Sequence, residues 1–175
     1  MLKRAMPSYF DVEVVLAEVE PKVWRRFLIQ RTATLADLHR AIQEACGWLD
    51  YHLHLFSADG EDLACSPEGD EMDLPGSDEV ALSACFDDGI NTFDYLYDFG
   101  DHWMHVVQIH GLVEREDRFK RRLLGGARAF PPEDSGGLPG YQRCVDFRQR
   151  PPLWLPPAAA GGPAFLDCGV PRATP

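Results

Sequence analysis

The sequence predicts an α+β fold with a mostly antiparallel sheet, and three observations favour it. Residues 9–19 alternate apolar and polar positions, which is the pattern of a half-buried strand. A second short strand and an amphipathic helix follow directly, at residues 23–29 and 35–46. Farther along, two aromatic-rich segments flank a tight turn, which is typical of an antiparallel hairpin.

The first two strands are joined around Pro21, where a strand cannot continue, and we expect them to form a hairpin. The helix that follows begins after Thr34, which can cap it, with Asp37 in a capping-box position. Gly47 can end it in a left-handed conformation. The order strand, strand, helix is β-grasp-like.

The middle of the chain predicts a third strand at residues 51–56 and an exposed acidic loop at residues 58–73. Residues 79–86 are short and apolar, and they suit either a strand or a helical turn. The aromatic-rich hairpin comprises residues 92–99 and 103–112. Alternation predicts that its two arms present one apolar face, made of Phe93, Tyr95, Tyr97 and Phe99 on the first arm and Trp103, His105, Val107 and Ile109 on the second.

After Gly126 the sequence predicts irregular structure, because prolines and glycines crowd residues 130–141. We therefore expect one domain over residues 1–146 and a proline-rich, disordered or loosely docked tail over residues 147–175.

Composition limits the class of protein. The 175 residues suit one domain, and the formal net charge is −11. The sequence has no apolar stretch of about 18 residues and no apolar segment after its first charged residues, so we expect no membrane partner and a cytoplasmic location. The five cysteines are widely spaced, which indicates free thiols.

Positive charge is concentrated in a basic run over residues 115–128, whereas no Lys or Arg lies between Arg40 and Arg115. Within that run, Arg118, Arg121 and Arg122 are candidates for an anion or RNA contact. The alternatives are a solvated loop and an intramolecular partner for the acidic middle of the chain. The acidic surface elsewhere disfavours nucleic acid as a partner.

His52 and His54 form an H-x-H motif. On a strand they would share one face and could present two nitrogens to a divalent metal such as zinc, with a carboxylate or another histidine as third ligand. The alternative is a pair of hydrogen-bonded histidines in a half-buried strand.

A second polar motif surrounds the predicted hairpin turn, where Asp98, Asp101 and His105 lie among Tyr97, Phe99 and Trp103. A carboxylate beside an imidazole can orient it as a metal ligand or a general base. Alternatively, the aspartates cap the backbone of the turn.

A third motif is the Pro-Pro-Glu-Asp segment, whose two prolines can hold Glu133 and Asp134 in place without a regular element. The alternative is a structural loop in which Asp134 accepts backbone hydrogen bonds.

We expect the polar residues of these three motifs to form one candidate ligand or metal site. The aromatic side chains around it would be Trp48, Tyr97, Phe99, Trp103 and Tyr141.

The order of these motifs is more specific than any one of them. The chain resembles the plasmid pRiA4b ORF-3-like family through Val23-Trp24-Arg25-Arg26, residues 34–39, Gly47-Trp48, His52-Leu53-His54, residues 97–105 and residues 131–141. The resemblance covers about residues 9–141. It implies an α+β fold, carriage on plasmids, insertion elements and bacterial chromosomes, and no particular activity.

Two features depart from this resemblance. Family members often carry cysteines on either side of the Pro-Pro-Glu-Asp segment, where this chain has Phe130 and Ser135. A metal-binding or redox role of that pair therefore does not extend to this chain. The family pattern is also not recognisable after about Tyr141, as expected of a frameshifted or truncated end.

Three functions stay open. The first is a non-enzymatic binding module for a protein or small ligand, favoured because we find no nucleophile motif or cofactor fingerprint. The second is a metal-dependent, hydrolytic enzyme with a His/Asp site. The third is a mobile-element-linked regulator that contacts nucleic acid through the basic run.

Overall fold

The computed structural model describes residues 6–67 and 73–149, and this part of the chain is an α+β fold. The strands are β1 Ser8–Leu16, β2 Trp24–Gln30, β3 His54–Ala58, β4 Glu61–Cys65, β5 Thr92–Tyr97, β6 Trp103–Glu114 and β7 Arg121–Ala127. The helices are α1 Leu35–Cys46, α2 Leu82–Asp87 and α3 Gly137–Gln149.

The seven strands form one sheet in the order β4-β3-β5-β6-β1-β2-β7, and every pairing is antiparallel. The predicted α+β class and antiparallel sheet are thus confirmed. The β-grasp-like label is not confirmed.

The sheet has one buried face, which the sequence pattern predicts. In β1 the side chains of Phe10, Val12, Val14 and Leu16 are buried, while Glu13 and Val15 between them are half-buried. Helix α1 contributes its own apolar residues to the same core.

Helix α1 begins and ends as predicted. The Thr34 hydroxyl accepts a hydrogen bond from the Asp37 backbone N–H, and the Asp37 carboxylate accepts one from the Thr34 backbone N–H. Gly47 adopts a φ of 82°, which lets its N–H reach the carbonyl of Gln43.

Arg25 ties three segments together. Its guanidinium donates hydrogen bonds to the backbone carbonyls of Ala45 at the end of α1 and of Arg128 just after β7. It also lies 4.9 Å from the centre of the Phe130 ring. Arg25 therefore connects β2, α1 and the segment that leaves β7.

The predicted third strand starts too early. Strand β3 begins at His54, because the chain before it is held in a bend in which Asp50 has a φ of 62°. The predicted acidic loop contains strand β4, which pairs with β3. Of the two alternatives for residues 79–86, the helical turn is confirmed as α2.

The aromatic-rich hairpin is confirmed as β5 and β6, and β6 extends beyond Leu112 to Glu114. The prediction for Phe99 was wrong, since its side chain is 44% exposed. Strand β5 ends at Tyr97, and the left-handed conformation of Asp98 turns the chain before Phe99 can continue the alternation.

Two elements lie where the sequence predicted none. Part of the basic run forms β7, which pairs with β2. Helix α3 begins at Gly137 and contains Pro139 in its first turn, where a backbone N–H has no helical partner and proline is tolerated. The expected boundary after residue 146 falls inside α3, and residues 150–175 of the expected tail lie outside the described part of the chain.

Candidate metal-binding site

Three loops meet at one end of the sheet. They are the bend before β3, the turn between β5 and β6 and the segment that precedes α3. Because β3 and β5 are antiparallel neighbours, the start of β3 and the end of β5 lie side by side, with His54 paired to Tyr97. The Asp98 backbone N–H continues this contact by donating to the carbonyl of Leu53, at 3.0 Å.

The loops bring His52, Asp98 and Asp134 together. The His52 Nε2 atom lies 3.6 Å from an Asp98 carboxylate oxygen and 3.1 Å from an Asp134 carboxylate oxygen. One ligand atom from each residue lies within 4.8 Å of the other two. Imidazole nitrogen and carboxylate oxygen are both common zinc ligands, so this trio can hold a divalent cation.

The His52 Nε2 atom is buried and has no hydrogen-bond partner among the described residues. The Asp134 oxygen is close enough for an ion pair, but it does not lie in line with the ring N–H. A buried nitrogen without a hydrogen bond is unfavourable in a protein unless another group satisfies it. A cation between the imidazole and the carboxylates would do so.

Asp98 is prearranged by its own turn. Its Oδ1 atom accepts hydrogen bonds from the backbone N–H groups of Gly100 and Asp101, at 2.9 and 3.2 Å. The side chain is 10% exposed, and the Oδ2 atom faces His52. The predicted turn-capping role and a ligand role are therefore compatible, since each uses a different oxygen.

Glu133 is not one of the trio but anchors the loop that carries Asp134. Its carboxylate accepts hydrogen bonds from the Tyr97 hydroxyl at 2.6 Å and from the Leu49 backbone N–H at 2.7 Å. The Trp48 indole N–H donates to the carbonyl of Pro131 at 2.7 Å, and its ring stacks on Tyr97. Burial and the neighbouring Glu133 carboxylate raise the pKa of Tyr97, which keeps this hydroxyl protonated as a donor.

Asp101 connects the same loops, since its carboxylate accepts a hydrogen bond from the Gly136 backbone N–H at 3.0 Å.

Left-handed backbone conformations are frequent in the three loops of the site. Asp50, Asp98, His102 and Asp134 have φ values of 62°, 58°, 58° and 55°. Such conformations cost free energy in residues other than glycine and concentrate at functional sites.

The structure does not bring His54 to this site, and the predicted H-x-H pair on one strand face was wrong. His54 is buried in the interior, where its two ring nitrogens lie 3.0 Å from the hydroxyls of Ser66 and Ser77. Its ring stacks on His39, with ring centres 3.7 Å apart. Burial, and secondarily His39, lowers the pKa of His54 to about 3, so the ring is neutral near pH 7.

His105 is also separate from the trio. It is fully buried, and its Nδ1 atom donates to the carbonyl of Tyr95 at 3.2 Å. The ring packs against Trp48 and Phe130, and burial lowers its pKa to about 4. No second His, Cys, Asp or Glu cluster of metal-binding geometry accompanies it among the described residues.

The remaining aromatic candidates differ in their positions. Trp103 is buried in the core near Trp48, and the Tyr141 hydroxyl donates to the carbonyl of Ala129. Neither belongs to the trio. Phe99 is exposed beside Asp98.

The sequence analysis missed His39 and Asp50. The His39 ring nitrogens lie 2.8 Å from the Tyr95 hydroxyl and 2.7 Å from an Asp50 carboxylate oxygen. A histidine on the apolar face of α1, between Leu38 and Ile42, was the signal that could have identified this network. A cleft of about 350 Å³ lies beside His52 and is lined in part by His39, Asp50 and His54.

A larger cleft, of about 600 Å³, lies on the far side of the turn beside Asp101, His102 and Gly136. We place the candidate site at the trio instead, because the ligand atoms converge there and not in the larger cleft.

The basic run is partly neutralised by internal contacts. Arg121 pairs with Glu44 of α1, and Arg122 pairs with Asp117 and lies over the Phe119 ring. Arg118 is exposed. This pairing agrees with the alternative in which the run contacts the acidic part of the chain.

Fold and site together define an α+β protein with a His/Asp site built from three loops at one end of an antiparallel sheet. The sequence model of the plasmid pRiA4b ORF-3-like protein family matches residues 8–152, and the chain belongs to this family. The match extends beyond Tyr141, so the expectation that the family pattern ends there was wrong.

The chain is also similar to two other proteins. Uncharacterized protein y4hQ of Sinorhizobium fredii (strain NBRC 101917 / NGR234) is 37% identical over 137 residues, which are 77% of this chain and 70% of that protein. The crystal structure of a protein of unknown function, MM3350 from Methanosarcina mazei Go1, has a TM-score of 0.75 and 30% identity. The matched region covers 85% of this chain and 86% of the MM3350 chain. None of the helices in the described residues has the length and hydropathy needed to span a membrane.

Proposed function

We propose that the protein is a binding module that holds a divalent cation, zinc in the first instance, through His52, Asp98 and Asp134. The cation then presents its open coordination positions to a protein or small ligand. The observation that carries this proposal is that one ligand atom from each of three residues lies within 4.8 Å of the other two, and that the buried Nε2 atom of His52 has no hydrogen bond among the described residues.

Two of the three distances between the ligand atoms are compatible with a four-coordinate ion. Zinc bonds of about 2.0–2.2 Å in a tetrahedron place neighbouring ligand atoms about 3.3–3.6 Å apart. The distances from His52 Nε2 to the two carboxylate oxygens, 3.1 and 3.6 Å, lie close to that range. Asp134 is 70% exposed, so the ion would be open to a ligand from the solvent side.

A metal-dependent hydrolase is the second candidate. Three protein ligands with an open fourth position are typical of catalytic zinc sites, in which the ion lowers the pKa of bound water. Glu133, next to Asp134 in the chain, would be the candidate general base. We favour the binding module because both oxygens of Glu133 already accept hydrogen bonds that hold the loop.

Zinc titration by calorimetry tests the proposal. The protein should be prepared without a histidine tag and stripped of metal. We expect one zinc ion per chain and thermal stabilisation by zinc, since a ligand at 100 times its Kd contributes about 2.7 kcal/mol to the free energy of unfolding. Asp98→Asn should weaken zinc binding by at least about 30-fold, because it keeps the turn-capping oxygen but removes the charge.

Matched controls are available on the same sheet. Asp94→Asn alters an exposed carboxylate of β5, and His110→Gln alters an exposed imidazole of β6. Both should bind zinc as the unmodified protein does. Zinc binding that is absent, or equally weakened by Asp94→Asn and Asp98→Asn, would rule the proposed site out. Zinc-dependent hydrolysis of simple esters that is lost in Glu133→Gln would favour the hydrolase.

A further inference from the structure

The smaller cleft, beside His52, has one guanidinium and one carboxylate in its lining. Arg40 belongs to helix α1, and Asp50 belongs to the bend before β3. They are the only Lys, Arg, Asp or Glu side chains among the described residues that line the cleft. Its volume of about 350 Å³ lies within the range of small-molecule sites, which is roughly 300–1,000 Å³.

The two charged groups are held by other residues and not by each other. Arg40 donates from Nη1 to an Asp37 carboxylate oxygen at 2.8 Å, and the Oδ1 atom of Asp50 lies 2.7 Å from the Nε2 atom of His39. The side chains of Arg40 and Asp50 are 54% and 48% exposed. Within the described part of the chain, the other N–H groups of the guanidinium and the Oδ2 atom of Asp50 make no hydrogen bond, so a ligand can reach them.

The rest of the lining is uncharged or apolar near pH 7 around His54. Burial keeps the pKa of His54 at about 3, and its two ring nitrogens already lie beside serine hydroxyls. The apolar part of the lining includes Ala36, Leu53 and Pro67. A ligand with a single charge would be attracted by one of the two charged residues and repelled by the other. The lining therefore favours a ligand that carries both charges and an apolar group.

From this lining we infer that the cleft binds a small zwitterion, which has one ammonium group, one carboxylate group and an apolar side chain. The carboxylate of the ligand accepts hydrogen bonds from Arg40, and its ammonium group donates to Asp50. A free α-amino acid and a dipeptide share this chemistry. The inference goes beyond the proposed cation site and does not depend on a bound cation, although His52 lines the cleft as well.

Calorimetric titration of the full chain with leucine and with leucyl-leucine tests the inference. EDTA is present throughout, because amino acids themselves bind zinc. N-acetyl-leucine lacks the ammonium group, and leucinamide lacks the carboxylate. We expect each of these blocked forms to bind at least about tenfold more weakly than leucine, since each loses a hydrogen bond between charged groups. This comparison uses the unmodified protein and is independent of the folding of any variant.

Two variants assign the contacts. Asp50→Asn keeps an acceptor for His39 and suits the φ of 62° at this position, and Arg40→Gln keeps a good helix former in α1. Each should weaken leucine binding about tenfold. Asp50→Asn should not weaken N-acetyl-leucine further, and Arg40→Gln should not weaken leucinamide further, because the contact concerned is already absent.

Matched controls lie outside the cleft. Arg31→Gln and Asp94→Asn change exposed charges that do not line it, and both variants should bind leucine as the unmodified protein does. Tighter binding of leucine than of leucyl-leucine supports a free amino acid as the ligand, and the reverse order supports a dipeptide.

The inference is overturned if neither zwitterion binds at roughly 10 mM, a concentration that detects even weak affinity. It is also overturned if the blocked forms bind as well as leucine, or if Asp94→Asn weakens binding as much as Asp50→Asn. Because these titrations contain EDTA, their failure leaves the cation site untouched. Failure of the zinc titration likewise leaves the zwitterion site untouched.

Discussion

His52 and His54 are two residues apart, yet they occupy opposite environments. His54 is 4% exposed, stacks on His39 and has a hydroxyl beside each ring nitrogen. The His52 side chain is 28% exposed and faces two carboxylates. The start of β3 lies between them, so one ring enters the core and the other stays in the loop. Sequence spacing alone therefore does not decide which histidine can bind a ligand.

The interior around His54 and His105 and the loops around His52 also differ in what they contribute to the protein. In the interior, His54 and His105 are kept neutral by burial and contribute to packing and hydrogen bonding. In the loops, the Nε2 atom of His52 faces two carboxylates and has no hydrogen bond among the described residues, which leaves it available to the proposed cation. We expect stability to depend on the first region and binding on the second.

The largest expected effect is a loss of stability in acid caused by the interior histidines. Their pKa values fall from 6.5 to about 3 for His54 and about 4 for His105, so the unfolded chain takes up protons first as the pH falls. Stability should be unaffected by this pair above pH 6.5 and should decline steadily below it. From pH 7.5 to pH 5 the expected loss is about 4 kcal/mol, about 2 from each histidine. Urea unfolding at a series of pH values measures it.

The matched variants for this prediction are His105→Gln and His110→Gln. The first removes one buried imidazole and should flatten the pH dependence between pH 6.5 and pH 5 even if it lowers stability overall. The second changes an exposed imidazole of β6 and controls for the loss of a histidine outside the core. A stability that does not vary from pH 7.5 to pH 5 would contradict the assignment of neutral interior rings.

A smaller effect is expected at Glu133, which connects the loop that carries Asp134 to Tyr97 of β5 and to Leu49. Glu133→Gln removes the charge that strengthens the hydrogen bonds from Tyr97 and Leu49. We expect a loss of about 1 kcal/mol in the free energy of unfolding and a roughly tenfold weaker zinc affinity, because the loop that carries Asp134 is held less firmly. Urea unfolding and zinc titration measure the two losses.

Trp48 provides an optical signal for this loop, since its indole N–H donates to Pro131. Its fluorescence should change in Glu133→Gln. Glu116→Gln, which alters an exposed glutamate after β6, should change neither fluorescence nor zinc affinity. If Glu133→Gln kept full zinc affinity, Glu133 would be a structural anchor with no influence on the site.

The smallest effect is expected in the basic run. Arg121 and Arg122 form exposed ion pairs with Glu44 and Asp117, and such pairs contribute little to stability. Arg121→Gln should shift the thermal midpoint by less than about 4 °C. Strong binding of RNA at low salt that falls steeply as salt rises, and that depends on Arg118, would revive the nucleic-acid hypothesis.

Much of the fold could be predicted because local signals agreed with it. The alternation in β1, the capping box of α1 and the aromatic faces of β5 and β6 each combine residue type with the correct period. Strand β7 and helix α3 were missed because glycines and a proline lie within them. Pairing with β2 stabilises the first, and the proline of the second lies in a first turn that tolerates it.

The candidate site could be predicted only as a set of residues. His52, Asp98 and Asp134 were all identified from their sequence motifs, but so were His54 and His105, which lie elsewhere. The left-handed conformations of Asp50 and Asp98 determine which side chains converge, and aspartate does not signal such a conformation as glycine would. Which of the predicted side chains meet at the site depends on where β3 begins and where β5 ends. Hydrophobic periodicity does not locate strand ends closely, so the sequence could not decide this.

The three proposed ligands come from distant parts of the chain, and this has a consequence for synthesis. A ribosome adds about 5–20 residues per second, so several seconds separate the appearance of His52 from that of Asp134. During that interval the nascent chain presents two of the three ligands at most. High-affinity zinc binding would therefore begin only after the loop before α3 has left the ribosome and packed against the sheet. A bound zinc ion would then mark chains in which all three loops of the site have been synthesised and assembled.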